Sequence, residues 1–94
     1  MIPDYQSLMR PVLECAANEE VRISEVVEEL ADKLQLTPEE RDELLPSGKQ
    51  TRFANRVHWA KGYLKQAGLV RSTKHGHFVA TDRGKAALDR FRFS

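Results

Sequence analysis

The chain has 94 residues, 40% of them hydrophobic and 31% charged, which makes one ordinary globular domain with a modest core. No apolar run approaches the roughly 20 residues that cross a bilayer, no basic-then-apolar leader opens the chain, and the single cysteine, Cys15, excludes an internal disulfide, so no membrane role and a cytoplasmic location are expected. The net charge of +1 hides an uneven arrangement: twelve acids against four bases from Met1 to Gly48, then eleven bases against two acids from Lys49 to Ser94. A strongly basic half that coincides with a helix and a hairpin points to a polyanion, and nucleic acid is the first partner to consider.

Asp4 is placed to cap a first helix running to about Ala17, with Tyr5, Leu8, Met9, Val12 and Ala16 on one face at helical spacing. Pro11 lies inside it and removes one hydrogen bond, so a kink or a split is expected there. Asn18-Glu19-Glu20 reads as a loop. Ser24 then caps a second helix whose Ile23, Val26, Val27, Leu30 and Leu34 form an apolar stripe. Its other face carries Glu25, Glu28, Glu29 and Asp32, a poor surface for DNA.

Thr37-Pro38-Glu39-Glu40 has the residues of a capping box, with Pro at the first helical position, so a short helix is expected to about Leu45, stopped by Pro46. Ser47-Gly48-Lys49-Gln50 is a turn leading into a third long helix, about Thr51 to Ala67, which Gly68 ends as a left-handed cap. After Gly68 the period changes to alternation. Leu69 to Thr73 and His77 to Ala80 read as strands joined at His75-Gly76 by a tight turn. Thr81 caps a last helix, about Asp82 to Phe91, with Ala86, Ala87 and Phe91 as its inner residues. The expected fold is therefore mainly α with a small β-hairpin, in the winged helix-turn-helix layout. In that layout the third long segment enters the major groove and the hairpin is the wing.

At roughly 100° per residue, Phe53, Val57, Ala60, Leu64 and Ala67 cluster within about 80° of arc and form the core stripe of that segment. Thr51, Asn55, His58 and Gly62 lie opposite, flanked by Arg52 and Trp59 on one side and by Lys61 and Lys65 on the other. Asn suits an adenine edge and Arg suits guanine or phosphate. Gly62 leaves the middle of the face open to a close backbone approach. Trp59, at the border, is expected to pack under the short helix or the wing; the sharper alternative is an aromatic wall for a modified or displaced base. Tyr63 is expected to be structural. His75 and His77 lack a third ligand, so phosphate or solvent contact is expected there rather than a metal, with Lys74 as a phosphate contact. No carboxylate-x-Lys motif, phosphate-binding glycine loop or nucleophile–base spacing occurs, so neither catalysis nor a cofactor is expected.

The sequence resembles the N-terminal domain of Mrr-type restriction endonucleases over nearly its whole length. The segments that carry the likeness are Ile2-Pro3-Asp4-Tyr5-Gln6, Leu44-Leu45-Pro46-Ser47-Gly48 and Asn55-Arg56-Val57-His58-Trp59-Ala60. Tyr63 to Leu69 and Thr81-Asp82-Arg83-Gly84 complete it, though these two occur in many bacterial winged-helix proteins. The resemblance implies a module that targets a metal-dependent nuclease domain to double-stranded DNA containing methylated adenine or cytosine. The DNA-facing residues expected on this chain are Lys49, Gln50, Thr51, Arg52, Asn55, Arg56, His58 and Trp59, with Lys74, His75 and His77 on the wing. The chain has no nuclease motif, so that activity is not carried over. It ends in Arg90-Phe91-Arg92-Phe93-Ser94 straight after a helical pattern, which reads as a cut before a C-terminal nuclease domain. Two alternatives share the fold. One is a free-standing transcription regulator, a homodimer through the C-terminal helix with Phe91 and Phe93 as its seam. The other is a protein-interaction winged helix using the acidic second helix.

Overall fold

The computed structural model describes residues 2–92, with side chains as far as Arg90. The elements run α1 (Tyr5–Cys15), β1 (Val21–Arg22), α2 (Ile23–Lys33), α3 (Pro38–Asp42), α4 (Arg52–Gln66), β2 (Val70–Lys74), β3 (His77–Ala80) and α5 (Asp82–Arg92). Asp4 caps α1 by accepting from the Ser7 N–H at 2.9 Å, a bond that holds its carboxyl below the ordinary carboxylate range. Pro11 does not split α1. Leu8 on one side of the proline and Val12 and Leu13 on the other are all buried, and α1 packs extensively on α4, so packing outweighs the one lost bond.

A strand that the sequence pattern does not reveal precedes α2. Val21 pairs with Phe78 and Arg22 with His77, so the expected hairpin is part of a three-stranded antiparallel sheet of order β1-β3-β2. Two residues are too few to display alternation. The chain passes straight from β1 into α2, whose N-cap is Arg22 with no side-chain cap bond. Ser24 is therefore inside the helix rather than its cap. The Ile23 N–H instead donates to the Gly76 carbonyl in the hairpin turn at 2.8 Å, so the wing takes over the role expected of a serine. The expected stripe of α2 is largely buried, except that Leu34, past the helix end, is 39% exposed.

The capping box of α3 is present in full: Glu40 N–H donates to Thr37 Oγ1 at 3.1 Å and Thr37 N–H to Glu40 Oε1 at 2.8 Å. α3 is shorter than expected and stops at Asp42, because the backbone that follows pairs with the entry to α4. Arg52 N–H donates to the Glu43 carbonyl at 2.8 Å, Leu45 N–H to the Gln50 carbonyl at 3.0 Å, and Leu44 bridges Thr51. Thr51 caps α4, accepting from Ala54 N–H at 3.2 Å. Phe53, Val57, Ala60 and Leu64 face the core. Gly68 ends the helix at φ +77° and Gly76 turns the hairpin at φ +75°, both in the left-handed region that favours glycine.

Thr81 joins α4 to α5. Its hydroxyl donates to the Gly68 carbonyl at 2.6 Å and accepts from Gly84 N–H at 3.1 Å. The inner residues of α5 are Gly84 and Leu88, whereas the expected Ala86 is exposed and Ala87 half-buried. The side chains of Phe91 and Phe93, and with them the expected dimer seam, lie outside the described residues. The core gathers Leu8, Val12, Val26, Leu30, Phe53, Val57, Leu64 and Phe78 from the three long helices and the sheet. Helix, strand, helix, short helix, helix, hairpin, helix is a winged helix-turn-helix, mostly helical as expected, with a third strand added to the wing.

Candidate nucleic-acid interface

With Phe53, Val57, Ala60 and Leu64 turned inward, the helical period leaves Asn55, His58, Trp59 and Gly62 along the outer side of α4. The helix carries Arg52, Arg56, Lys61 and Lys65 and no acidic residue. No neighbouring atom lies within 4 Å of the place a side-chain Cβ at Gly62 would occupy. An interior helix glycine costs about 0.5–1 kcal/mol relative to alanine, and here neither φ nor packing requires it.

The edge of α4 towards α1 and α3 is largely committed to the fold. Arg52 Nε donates to Glu43 Oε2 at 2.6 Å, and Arg56 Nη1 donates to the carbonyls of Ile2 at 2.8 Å and Pro3 at 3.2 Å. Arg56 thus ties the chain start to α4, which is a different duty from the DNA contact expected of it. Asn55 Nδ2 donates to Gln50 Oε1 at 3.3 Å, which holds two of the expected DNA-facing side chains together. Thr51 spends its hydroxyl on the cap. Lys49 is exposed in the preceding turn, its backbone N–H donating to Ser47 Oγ at 3.4 Å.

The edge towards the wing is a cleft. His58 and Lys61 from α4 face Ser72, Lys74, His75 and Gly76 of the hairpin across it, and no carboxylate lines it. The Lys61 ammonium lies 5.6 Å from the centre of the Phe78 ring, at the lining of the cleft. Partial desolvation, with the Lys61 charge second, lowers the pKa of His58 below its ordinary value of 6.5. Of the expected residues the fold brings His58, Lys74 and His75 together. His77 is left out: it pairs with Arg22 in the sheet, and its Nδ1 lies 2.9 Å from the His75 carbonyl, which as a hydrogen bond puts the proton on Nδ1. Lys61 and Ser72 are additions. Lys61 follows His58 by three residues on the same edge, a signal present in the sequence, but the approach of the hairpin is a tertiary fact.

Trp59 is 55% exposed and not packed beneath α3 or the wing, contrary to the structural expectation. Its ring centre lies 6.1 Å from that of Tyr63 at a 32° tilt, and Tyr63 in turn stacks on Tyr5 at 4.7 Å and 14°. Tyr63, 40% exposed, is a partner of α1 rather than a core residue. A hydrogen bond with the Tyr63 side chain is the main cause of a raised Tyr5 pKa.

The acids of the first half gather elsewhere. A groove between α1 and α2 is rimmed by Glu14, Glu19, Glu25 and Glu29 over Cys15 and Leu34. Cys15 Sγ donates to Glu29 Oε2 at 3.4 Å, and burial, with Glu29 second, pushes the thiol up to about 11, so it is protonated at neutral pH. Among the described residues no cluster of His, Cys, Asp or Glu suits a metal ion, and no helix is long and apolar enough to cross a membrane. The family model described as Mrr N-terminal domain matches residues 5–90. No curated protein and no solved structure matches the chain.

Proposed function

The chain belongs to the Mrr N-terminal domain family, and from that premise we propose that it is a double-stranded-DNA-binding module that targets a restriction endonuclease. The family itself suggests a role in a restriction system and is an N-terminal, non-catalytic one. The observation that carries the DNA reading is Gly62: an interior glycine the fold does not need, at the middle of an acid-free helix face that continues into a cationic cleft. A phosphate backbone or base edge approaching that face closely gives the glycine its use.

In this reading α4 enters the major groove. Asn55, braced by Gln50, offers its amide to an adenine edge, while Lys49 and Arg52 lie nearer phosphates at the helix start. One strand's phosphates pass through the cleft between α4 and the wing, met by Lys61, Lys74, His58 and His75. The family resemblance implies methylated adenine or cytosine, and a methyl on adenine N6 or cytosine C5 would project into the major groove and so towards the Asn55–Gly62 face. The cutting chemistry belongs to a separate metal-dependent domain.

The test is a fluorescence-anisotropy titration with matched duplexes that are unmethylated, adenine-methylated or cytosine-methylated, at low and moderate salt. Binding that weakens with salt is expected, with a methylation preference that survives added salt. Equal binding to all three would remove the methylation part and leave a backbone-tracking module. No binding at low salt would remove the DNA reading. It would favour instead an adaptor role for the acidic α1–α2 groove, whose Glu rim and exposed Leu34 suit a basic, partly apolar peptide.

A further inference from the structure

The duplex-binding reading uses the outer side of α4 and the wing but leaves the largest exposed aromatic ring without a task. Trp59, Tyr63 and Tyr5 form one column of rings from α4 to the start of α1, and its outer end, Trp59, is more than half exposed at 55%. Burying an indole is worth more than burying most side chains, so a tryptophan left at the open end of a supported column is pre-organised for something outside the chain. Tyr63 and Tyr5 limit its movement from beneath, which lowers the entropy cost of using it.

The occupant follows from chemistry. A free aromatic face takes either another flat ring or a cation. A cation would be repelled by Lys61 and Lys65 on the same helix, which has no carboxylate to offset them; Glu43, in the loop before it, is already engaged by Arg52 at 2.6 Å. Apart from Arg52 and Arg56, which are engaged within the fold, the charges that share the helix with Trp59 are Lys61 and Lys65, the complement of phosphates. A flat ring accompanied by phosphates is a nucleobase. In an intact duplex the base faces are covered by their neighbours and only the edges are open, so the face of Trp59 fits a base that has left the stack.

We propose that Trp59, supported by Tyr63 and Tyr5, is a stacking site for an unstacked nucleobase, so that the module prefers DNA with an extrahelical base to a uniform duplex. This rests on the DNA-binding reading, and the experiment separates the two. Trp59 is the only tryptophan in the chain, so its emission reports the site directly. Two duplexes of the same sequence, one with a single bulged base, are titrated while tryptophan emission and anisotropy are recorded.

The bulged duplex is expected to quench Trp59 emission and to bind roughly 5- to 100-fold more tightly. Trp59→Ala should abolish that preference, so that bulged and paired duplexes are bound alike, and Trp59→Phe, which keeps a ring in the column, should retain part of it. Thermal melts of both variants should match the unmutated protein, as expected for an exposed side chain. If the protein binds both duplexes equally, without quenching and without sensitivity to Trp59→Ala, the stacking site is overturned, the column is left to a protein partner, and duplex binding stands. If neither duplex binds at low salt, both readings fall together.

Discussion

α4 and α5 each carry a glycine in their interior, and the fold treats the two in opposite ways. A Cβ at Gly84 would collide with the Leu69 carbonyl oxygen, lie 3.0 Å from the carbonyl carbon and 3.1 Å from Leu13 Cδ1. Around it the chain has built a joint, with Thr81 bonded both to Gly68 and to the Gly84 N–H. A Cβ at Gly62 would meet nothing. The first glycine lets α5 approach the end of α4 and is explained from within. The second carries the same conformational cost with no internal return. Parts of this molecule that the fold demands can thus be told from parts that the fold leaves unexplained.

The sharpest way to break that comparison is at Gly84. Gly84→Ala should lower stability by about 2–3 kcal/mol, because the obstacle is backbone that cannot turn aside. Melting should fall by roughly 10–20 °C. A melting temperature within a few degrees of the unmutated value would mean that α5 shifts easily and that the glycine is not structural. DNA affinity per folded molecule should be unchanged.

Arg56 belongs on the same side of the comparison although the sequence suggests otherwise. Its bonds to the Ile2 and Pro3 carbonyls at 2.8 and 3.2 Å predict that Arg56→Met costs about 1–2 kcal/mol in denaturant unfolding. Most of its effect on DNA should then come through general charge. A loss of DNA affinity at unchanged stability would return Arg56 to the interface.

Gly62→Ala should do the reverse of Gly84→Ala. Stability should rise by about 0.5–1 kcal/mol, since alanine is the better helix former. Duplex affinity should fall by about 1 kcal/mol, read by anisotropy at fixed salt. A stabilised variant with undiminished binding would show that Gly62 serves neither fold nor partner.

The same division explains how far the sequence could be read. Caps written in adjacent residues were legible: Asp4, the Thr37–Glu40 box, Gly68 and Thr81 all occupy their expected posts, while Thr51, expected as the first helical residue, is the cap of α4. Features that arise from pairing distant segments were not. β1 exists only because Val21 and Arg22 meet Phe78 and His77, and Ser24 lost its capping role to the Gly76 carbonyl for the same reason. In α5, counting apolar residues favoured Ala86 and Ala87, but close backbone approach at Gly84 set the inner face. On α4 the core stripe was legible from its period as far as Leu64, Ala67 being exposed at the helix end, whereas the closure of the wing over His58 and the freedom of Trp59 depend on the tertiary arrangement.

The smallest expected effect, and the one that examines the cleft alone, is on pH. His58 has a folded pKa lowered by desolvation and by Lys61, so the unfolded chain takes the proton more readily. Its contribution to stability is therefore present above about pH 6.5 and declines as the pH falls below it, weakly because the side chain is exposed. Binding a phosphate beside it has the opposite sign, since the anion favours the imidazolium. The charged and titratable groups around it are Lys61 on the same helix and Lys74 and His75 across the cleft, with no carboxylate to cancel the gain. Duplex affinity at constant ionic strength should accordingly rise a few-fold between about pH 7.5 and pH 5.5 while stability drifts slightly downward. His58→Gln should flatten the rise. An affinity that ignores pH over that interval would mean that phosphates do not pass between α4 and the wing, even if the outer side of α4 still meets DNA.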